Sequence, residues 1–215
     1  MLEKMSYTDI PLMLLTTTVW AYWLGVAVMI ARVRRRTRKS VGVVPEQRIE
    51  RLMWVVWVPL ITLWLALPYL AQTSLQSWLV VPAFARDAGY AVLRYVAAAC
   101  AIVCLAATVT CWVRMGADWR MAVSDTRKSE LITDGLFKCI RHPIYAFSML
   151  LIICSAVIVA TPLMLTVALI HIVLMNLKAR NEEFHLLRAH GDAYERYLRG
   201  TGRFVPRLFP RRSWR

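Results

Sequence analysis

Acidic residues are scarce in this 215-residue chain, where 13 aspartates and glutamates stand against 27 lysines and arginines for a formal net charge of +14. Glycine and cysteine are also few, at 8 and 5 residues, which excludes collagen-like sequences and disulfide-rich scaffolds. Hydrophobic residues reach 59%, above the roughly 45–50% of soluble globular chains, so intrinsic disorder is excluded as well. A soluble nucleic-acid-binding protein could carry this charge but not the long uncharged apolar runs found here. The composition predicts an integral, multi-pass membrane protein, and nucleic acid is not an expected partner.

Five apolar stretches are long enough, or nearly so, to cross a bilayer as α-helices, which takes about 20 residues. The predicted fold is an all-α, polytopic membrane bundle of five transmembrane helices. The predicted spans are 10–31, 52–71, 89–113, 144–160 and 162–177. The last two are short and are separated only by a Thr-Pro pair, which predicts a tight helical hairpin that is partly shielded by protein.

The positions of the basic residues predict the orientation of the bundle. Of the 27 lysines and arginines, 24 follow the first span, lie between the third and fourth spans, or follow the fifth. Because cytosolic segments of membrane proteins are rich in lysine and arginine, the N-terminus is expected outside and the C-terminus in the cytosol. The same charge favours contact with anionic membrane lipids. Trp23 and Trp112 lie near predicted span ends, as interfacial tryptophans do, and Arg94 is close enough to a span end to extend toward the interface.

Two regions are predicted along the chain. Residues 1–113 form three transmembrane helices with a basic cytosolic loop at 32–51, and residues 114–215 form a catalytic region. The catalytic region comprises a cofactor loop at 115–145, the hairpin at 144–177 and an amphipathic basic tail at 178–215. The tail helix is expected to break near Gly191 and either to anchor the tail at the membrane interface or to cover a pocket on the cytosolic face.

Opposite charges flank the hairpin. Arg141 and His142 are donors at the start of a span, and Pro143 suits the first position of a helix, whose free N–H groups attract anions. Glu182 and Glu183 bring negative charge to the same depth and could hold an ammonium group. A zwitterion fits such a site, although a capped helix start beside an ordinary glutamate pair explains the pattern equally well.

Histidine and cysteine give little indication of metal chemistry. Three cysteines of the third span share one helical face without a histidine, and the chain has no Cys-x-x-Cys pair, so they are interpreted as packing residues and no metal is expected. His171, alone in the fifth span, is interpreted as a hydrogen-bonded residue of the bundle.

Two motifs occur in order on either side of the hairpin. Residues 131–145 read Leu-Ile-Thr-x-Gly-x-Phe-x-x-x-Arg-His-Pro-x-Tyr, and residues 182–206 read Glu-Glu-x-x-Leu…Gly-x-x-Tyr-x-x-Tyr…Arg-Phe-Val-Pro. Over roughly residues 115–206 the chain resembles the isoprenylcysteine carboxyl methyltransferase and phospholipid methyltransferase superfamily. The resemblance implies that S-adenosylmethionine is bound by a membrane-embedded helical fold. The chain agrees in lacking the strand, glycine-rich loop and helix of a dinucleotide-binding unit.

The resemblance also implies roles for individual residues. The candidate cofactor-binding residues are Glu130, Leu131, Ile132, Phe137, Arg141, His142, Pro143, Ile144, Tyr145 and Glu182. Lys178 falls where carboxyl methyltransferases place an arginine for the substrate carboxylate, Arg180 is a neighbour that could serve instead, and Glu183 or His142 is the candidate base for an amine acceptor. Three positions depart from the family pattern. Phe147 replaces a small residue, Phe137 replaces a tyrosine, and Lys178 cannot form the bidentate pair of an arginine.

The leading hypothesis is an integral-membrane, S-adenosylmethionine-dependent methyltransferase that acts on a lipophilic acceptor, with a carboxylate of the isoprenylcysteine type favoured over N- or S-methylation. Phospholipid N-methylation is the second hypothesis. A sterol-reductase-like NADPH enzyme is a third, and Pro143-Ile144 together with the glutamate pair disfavours it. A non-enzymatic membrane scaffold is the fourth, and the near absence of charge within the spans disfavours an ion pathway.

Overall fold

The computed structural model describes residues 9–37, 45, 47–73, 79, 81–121 and 131–207. The regular elements in these ranges are helices, with one isolated bridge between two single residues, so the predicted all-α class is confirmed for this part of the chain. The α-helices are α1 (Ile10–Thr37), α2 (Arg48–Thr73), α3 (Ala88–Met115), α4 (Pro143–Val159), α5 (Pro162–His190) and α6 (Asp192–Gly200). Short 3₁₀ turns occur at Ala83–Arg86, Gly116–Asp118 and Gly135–Lys138.

Four of the described helices, α1, α2, α3 and α5, are long and apolar enough to cross a membrane. These helices support the predicted integral membrane protein. The helix α4 is equally apolar but has only 17 residues. The count of five crossings and the orientation of the bundle remain predictions.

The short helix α4 lies at the centre of the bundle. It contacts α1, α2, α3 and α5, and its most extensive contact is with α3. Leu151, Ile152 and Ile158 on α4 are completely buried. Because neighbouring helices cover much of α4, it can be shorter than a helix that crosses the bilayer alone.

A tight turn joins α4 to α5, as the Thr-Pro pair predicts. Ala160 adopts the left-handed conformation at the end of α4, with φ of 47°. The Thr161 hydroxyl then accepts a hydrogen bond from the Met164 N–H at 3.2 Å, and Pro162 occupies the first helical position, both of which favour a helix start. The helix α5 continues through the polar residues after 177, and the predicted break at Gly191 separates it from α6.

The end of α4 that carries Ile158 is closed by polar side chains of α3. The Tyr90 hydroxyl donates to the Val157 carbonyl at 2.9 Å, and Arg94 Nε donates to the Ile158 carbonyl at 3.2 Å. The Arg94 guanidinium also pairs with Asp9 at 2.7 Å. Arg94 is therefore 94% buried and satisfies the last carbonyls of α4, whereas the sequence had predicted that it extends to the interface. We call this cluster the closed end of α4.

Candidate active site

A cavity of about 600 Å³ lies at the opposite end of α4. Side chains from α1, α2, α3, α4 and α5 line it, together with α6 and the segments that precede α4. Its volume is within the range of about 300–1,000 Å³ that is usual for small-molecule sites. The cavity brings the two predicted polar segments together, because α4 and α5 run side by side from the hairpin turn to this end.

Most of the predicted site residues line the cavity. These are Leu131, Ile132, Phe137, Arg141, His142, Pro143, Ile144, Tyr145, Lys178 and Glu182. Glu130 lies outside the described residues. Arg180 is exposed, and Glu183 is buried behind the cavity wall, so neither contributes to the lining.

His142 is the residue immediately before α4, and its ring lies between two carboxylates. Its Nδ1 is 3.4 Å from Glu182 Oε2, and its Nε2 is 3.5 Å from Glu183 Oε1. Burial opposes the charged imidazolium, but the hydrogen bonds and charges of the two glutamates outweigh burial and raise the pKa of His142 above its ordinary value. The ring also stacks on Tyr145, with 5.5 Å between centroids and 3° between planes. The two carboxylates therefore favour the charged form of His142, and the stacking on Tyr145 fixes the orientation of its ring.

Glu182 carries negative charge on the cavity wall. It accepts a hydrogen bond from the Tyr145 hydroxyl and faces His142. Glu182 lies four residues after Lys178 on α5, and positions four apart share a helical face. Arg180 is about 200° around the helix from Lys178 at 100° per residue, which explains why it points away from the cavity. This periodicity is the signal in the sequence that separates Lys178 from its neighbour.

Glu183 is held by two arginines. Arg141 Nε donates to Glu183 Oε1 at 2.9 Å, and Arg203 Nε donates to both carboxylate oxygens at 3.1 Å. Arg141 also donates to the carbonyl of Thr201. Glu183 thus joins the loop before α4 to the segment after α6.

Backbone hydrogen bonds attach that segment to the same loop. The N–H of Arg141 donates to the Gly202 carbonyl at 2.9 Å, and the N–H of His142 donates to the Arg203 carbonyl at 3.1 Å. In return the Gly202 N–H donates to the Cys139 carbonyl at 3.2 Å. A Cβ atom at Gly202 would lie 1.7 Å from the Val205 carbonyl oxygen, so this close approach requires glycine.

The helix α6 covers one side of the cavity. Tyr194 and Tyr197 line the cavity, and the Tyr197 hydroxyl donates to the Phe137 carbonyl at 2.6 Å. Burial raises the pKa of Tyr197 to about 12, so its hydroxyl remains a hydrogen-bond donor at neutral pH. Of the two predicted roles for the tail helix, the structure provides the cover over the pocket.

Lys178 lies on α5, one helical turn before Glu182, and contacts Trp57 of α2. It is 93% buried. Its ammonium group donates to the Met121 carbonyl and lies 5.5 Å from the centroid of the Trp57 ring. A buried cation beside a cavity is suited to hold an anionic group.

Sequence reasoning missed an aromatic wall that α1, α2 and α3 contribute to the cavity. The wall consists of Tyr22, Trp23, Trp57 and Trp112. Trp112 is 96% buried against protein, and its predicted position at the membrane interface remains a prediction. No local pattern reveals this wall, because its four members come from three helices that meet only in the folded bundle.

His171 is hydrogen-bonded within the bundle, as the sequence predicts. It is completely buried, and its Nε2 lies 2.9 Å from the Ser148 hydroxyl. Ser148 in turn lines the cavity floor. Among the described residues, no group of three or more histidine, cysteine, aspartate or glutamate side chains is arranged to hold a metal ion.

Residues 95–188 match the Isoprenylcysteine carboxyl methyltransferase (ICMT) family. The matched range runs from α3 into the last turn of α5 and includes most of the residues that line the cavity. The match confirms the predicted family resemblance and supports a membrane methyltransferase. It begins earlier than the predicted resemblance and ends before α6, so α1, α2 and α6 lie outside it. No curated protein matches the chain.

Proposed function

With the match of residues 95–188 to the ICMT family as the premise, we propose that this protein transfers a methyl group from S-adenosylmethionine to the carboxylate of a lipophilic acceptor. By analogy with that family, the acceptor is of the isoprenylcysteine type. The observation that carries the proposal is the cavity itself. It has a carboxylate and a buried imidazole near the start of α4, and a buried ammonium that lies one turn of α5 from that carboxylate, beside the aromatic wall.

The residues around α4 suit S-adenosylmethionine, which carries an ammonium, a carboxylate, a sulfonium and an adenine ring. Glu182 would hold the ammonium, because it is the negative group on the wall beside His142. The start of α4 at Pro143 and the Arg141 side chain would attract the carboxylate. Apolar and aromatic side chains of Leu131, Phe137 and their neighbours offer a surface for the adenine. When bound, S-adenosylmethionine supplies a methyl group on a positively charged sulfur.

Lys178 is the residue that would hold the acceptor. Its ammonium would pair with the acceptor carboxylate and keep it ionised in a site of low polarity. As a point charge it fixes the position of the carboxylate less tightly than the two-pronged guanidinium of an arginine would. Holding both reactants in one orientation can contribute about 7–11 kcal/mol to catalysis in favourable systems.

The state of the candidate bases supports a carboxylate rather than an amine acceptor. A protonated amine must lose a proton before it can accept a methyl group, and it therefore needs a base. The two carboxylates raise the pKa of His142 and so favour its charged form, which cannot accept a proton, and Glu183, outside the cavity lining, is paired with two arginines. A carboxylate arrives already deprotonated and needs neither residue.

The surroundings of the cavity favour the reaction of opposite charges. A sulfonium and a carboxylate combine to give neutral products, so a site that excludes water does not oppose the loss of charge. The aromatic wall and α6 exclude water on two sides of the cavity. We infer that the acceptor reaches the cavity from the membrane and the cofactor from the cytosol.

Calorimetric titration of the purified protein in detergent tests the proposal. S-adenosylmethionine should bind and NADPH should not. A folded protein that gives no heat with S-adenosylmethionine would contradict the proposed function, and binding of NADPH would favour the reductase hypothesis.

A methylation assay with radiolabelled S-adenosylmethionine then identifies the acceptor class. We expect label in N-acetyl-S-farnesylcysteine and none in phosphatidylethanolamine. The reverse result would replace the carboxylate acceptor by an amine.

A further inference from the structure

The cavity has two walls of different chemistry. Polar groups come from the loop before α4 and from α5, whereas the facing wall is the aromatic wall of α1, α2 and α3. Three of the four wall residues, Tyr22, Trp23 and Trp57, lie on α1 and α2, outside the region that matches the ICMT family, whereas Trp112 on α3 lies within it. The chemistry of the wall must therefore be interpreted from the structure.

The aromatic side chains hold one another in place. The rings of Tyr22 and Trp112 lie 5.4 Å apart between centroids, those of Tyr22 and Trp23 lie 5.5 Å apart, and those of Trp23 and Trp57 lie 5.7 Å apart. Edge-to-face and tilted arrangements at these distances are favourable for aromatic pairs. The wall is therefore a continuous apolar surface rather than a set of independent side chains.

Gly25 on α1 allows Trp112 to lie where it does. A Cβ atom at Gly25 would stand 2.5 Å from Cζ3 of Trp112 and 3.1 Å from its Cη2. Glycine weakens the interior of a helix relative to alanine, and close packing of a bulky side chain is a physical reason to find it there. We call this contact the Gly25 notch.

A buried ammonium group lies at one edge of this wall. The Lys178 ammonium lies 5.5 Å from the centroid of the Trp57 ring, while Trp112 and the Gly25 notch stand on α3 and α1. A molecule with an acidic head and an apolar body fits this arrangement, with its head at Lys178 and its body along the rings.

From this arrangement we propose that the Gly25 notch determines the size of the apolar group that the enzyme accepts. With Trp112 seated in the notch, the wall leaves room for a bulky apolar group beside the acceptor carboxylate. A side chain at position 25 would push the indole ring toward the cavity and shorten that space. This inference rests on the proposed function and adds residues that determine acceptor specificity.

The test compares two glycine-to-alanine variants. Gly25→Ala closes the notch, and Gly89→Ala is the matched control, because Gly89 also lies in a helix but a Cβ atom there would meet nothing within 4 Å. For each protein we would measure the affinity for S-adenosylmethionine, for N-acetyl-S-farnesylcysteine and for its shorter geranyl analogue. Binding of S-adenosylmethionine also reports that the variant is folded.

We expect Gly25→Ala to weaken binding of the farnesyl compound at least tenfold and of the geranyl compound less than threefold, with cofactor affinity within twofold of wild type. Gly89→Ala should match the wild type throughout. The double variant Gly25→Ala/Trp112→Phe should recover most of the farnesyl affinity, since phenylalanine lacks the outer part of the indole that meets position 25. Such recovery is a coupling between neighbours that a general loss of stability would not produce.

Three results would overturn the inference. These are equal affinities of Gly25→Ala and Gly89→Ala for the farnesyl compound, an equal loss for both analogues, and a wild-type protein that binds S-adenosylmethionine but neither analogue. All three leave the cofactor site intact. A wild-type protein that does not bind S-adenosylmethionine would instead refute the proposed function itself.

Discussion

The two ends of α4 both carry buried charges, but they use them differently. At the closed end, Arg94 pairs with Asp9 and donates to a carbonyl of α4, so its charge is matched by protein groups. At the cavity end, His142 and Glu182 are matched to each other and still line a cavity of about 600 Å³. The closed end is built for stability, whereas the cavity end keeps charged groups facing open space.

This difference teaches how to separate structural from functional charges in a small membrane protein. A buried ion pair is expensive to desolvate wherever it occurs, and breaking it leaves an unmatched charge. Burial alone does not mark a functional group, since Arg94 is as buried as His142. The distinguishing feature is the cavity, where a ligand can complete the interactions.

The largest expected effect concerns the closed end. Asp9→Asn removes the partner of a buried guanidinium, and we expect a loss of stability of about 3 kcal/mol, the lower part of the range for such pairs. The affinity for S-adenosylmethionine should not change. Thermal unfolding in detergent and calorimetric titration measure the two quantities. Asp87→Asn, the same substitution at an exposed aspartate before α3 whose side chain makes no capping hydrogen bond, is the control.

The distinction between the two ends of α4 would be contradicted if Asp9→Asn lowered the free energy of cofactor binding as much as it lowered the free energy of unfolding. The closed end would then be coupled to the cavity through α4 rather than being a separate structural cluster.

The next effect concerns the cavity end. Glu182→Gln and His142→Ala should each weaken binding of S-adenosylmethionine at least tenfold, or about 1.4 kcal/mol, because the first removes the negative charge and the second removes the group that orients it. Arg180→Gln, on the same helix but facing away from the cavity, should bind as the wild type does. Unchanged affinity in both site variants, measured by calorimetry, would show that the cofactor motif is misassigned.

The smallest effect is a pH dependence. The two glutamates raise the pKa of His142 above its ordinary value of about 6.5, so its charged form stabilises the fold. That contribution is complete below the ordinary pKa and is lost as the pH rises through the raised pKa. The difference in melting temperature between the wild type and His142→Gln should therefore shrink with increasing pH.

Asp9→Asn is the control for this measurement, because the variant retains His142 and the two carboxylates that face it. It should keep the pH dependence of the wild type. A melting difference between wild type and His142→Gln that does not vary with pH would mean that the pKa of His142 is the same in the folded and the unfolded protein.

The sequence predicted those features that depend on local patterns. Apolar runs gave the long helices, the Thr-Pro pair gave the turn between α4 and α5, and the order of the two motifs placed His142 beside Glu182. Each of these follows from neighbouring residues or from a short connection. The predicted count of five membrane crossings depends on α4, whose 17 residues are covered by other helices.

Features that depend on contacts between residues distant in the chain could not be predicted from the sequence. The sequence left Glu183 as a candidate base, because it does not reveal the pairing with Arg203. Arg203 lies 20 residues later, beyond a helix whose direction the sequence does not specify. Trp112 packs against Gly25, although the two residues are 87 positions apart along the chain and lie on different helices. Such contacts are fixed by packing in three dimensions and leave no periodic signal.

The bridge between Ile140 and Gly202 has a consequence for biogenesis. Its two backbone segments stand before and after the hairpin, so they can meet only after α4, α5 and α6 have all been synthesised. The residues of the closed end lie at positions 9–158, so the chain that forms it is complete before α6 is made. The cavity is therefore the part of the fold whose walls are completed last during synthesis.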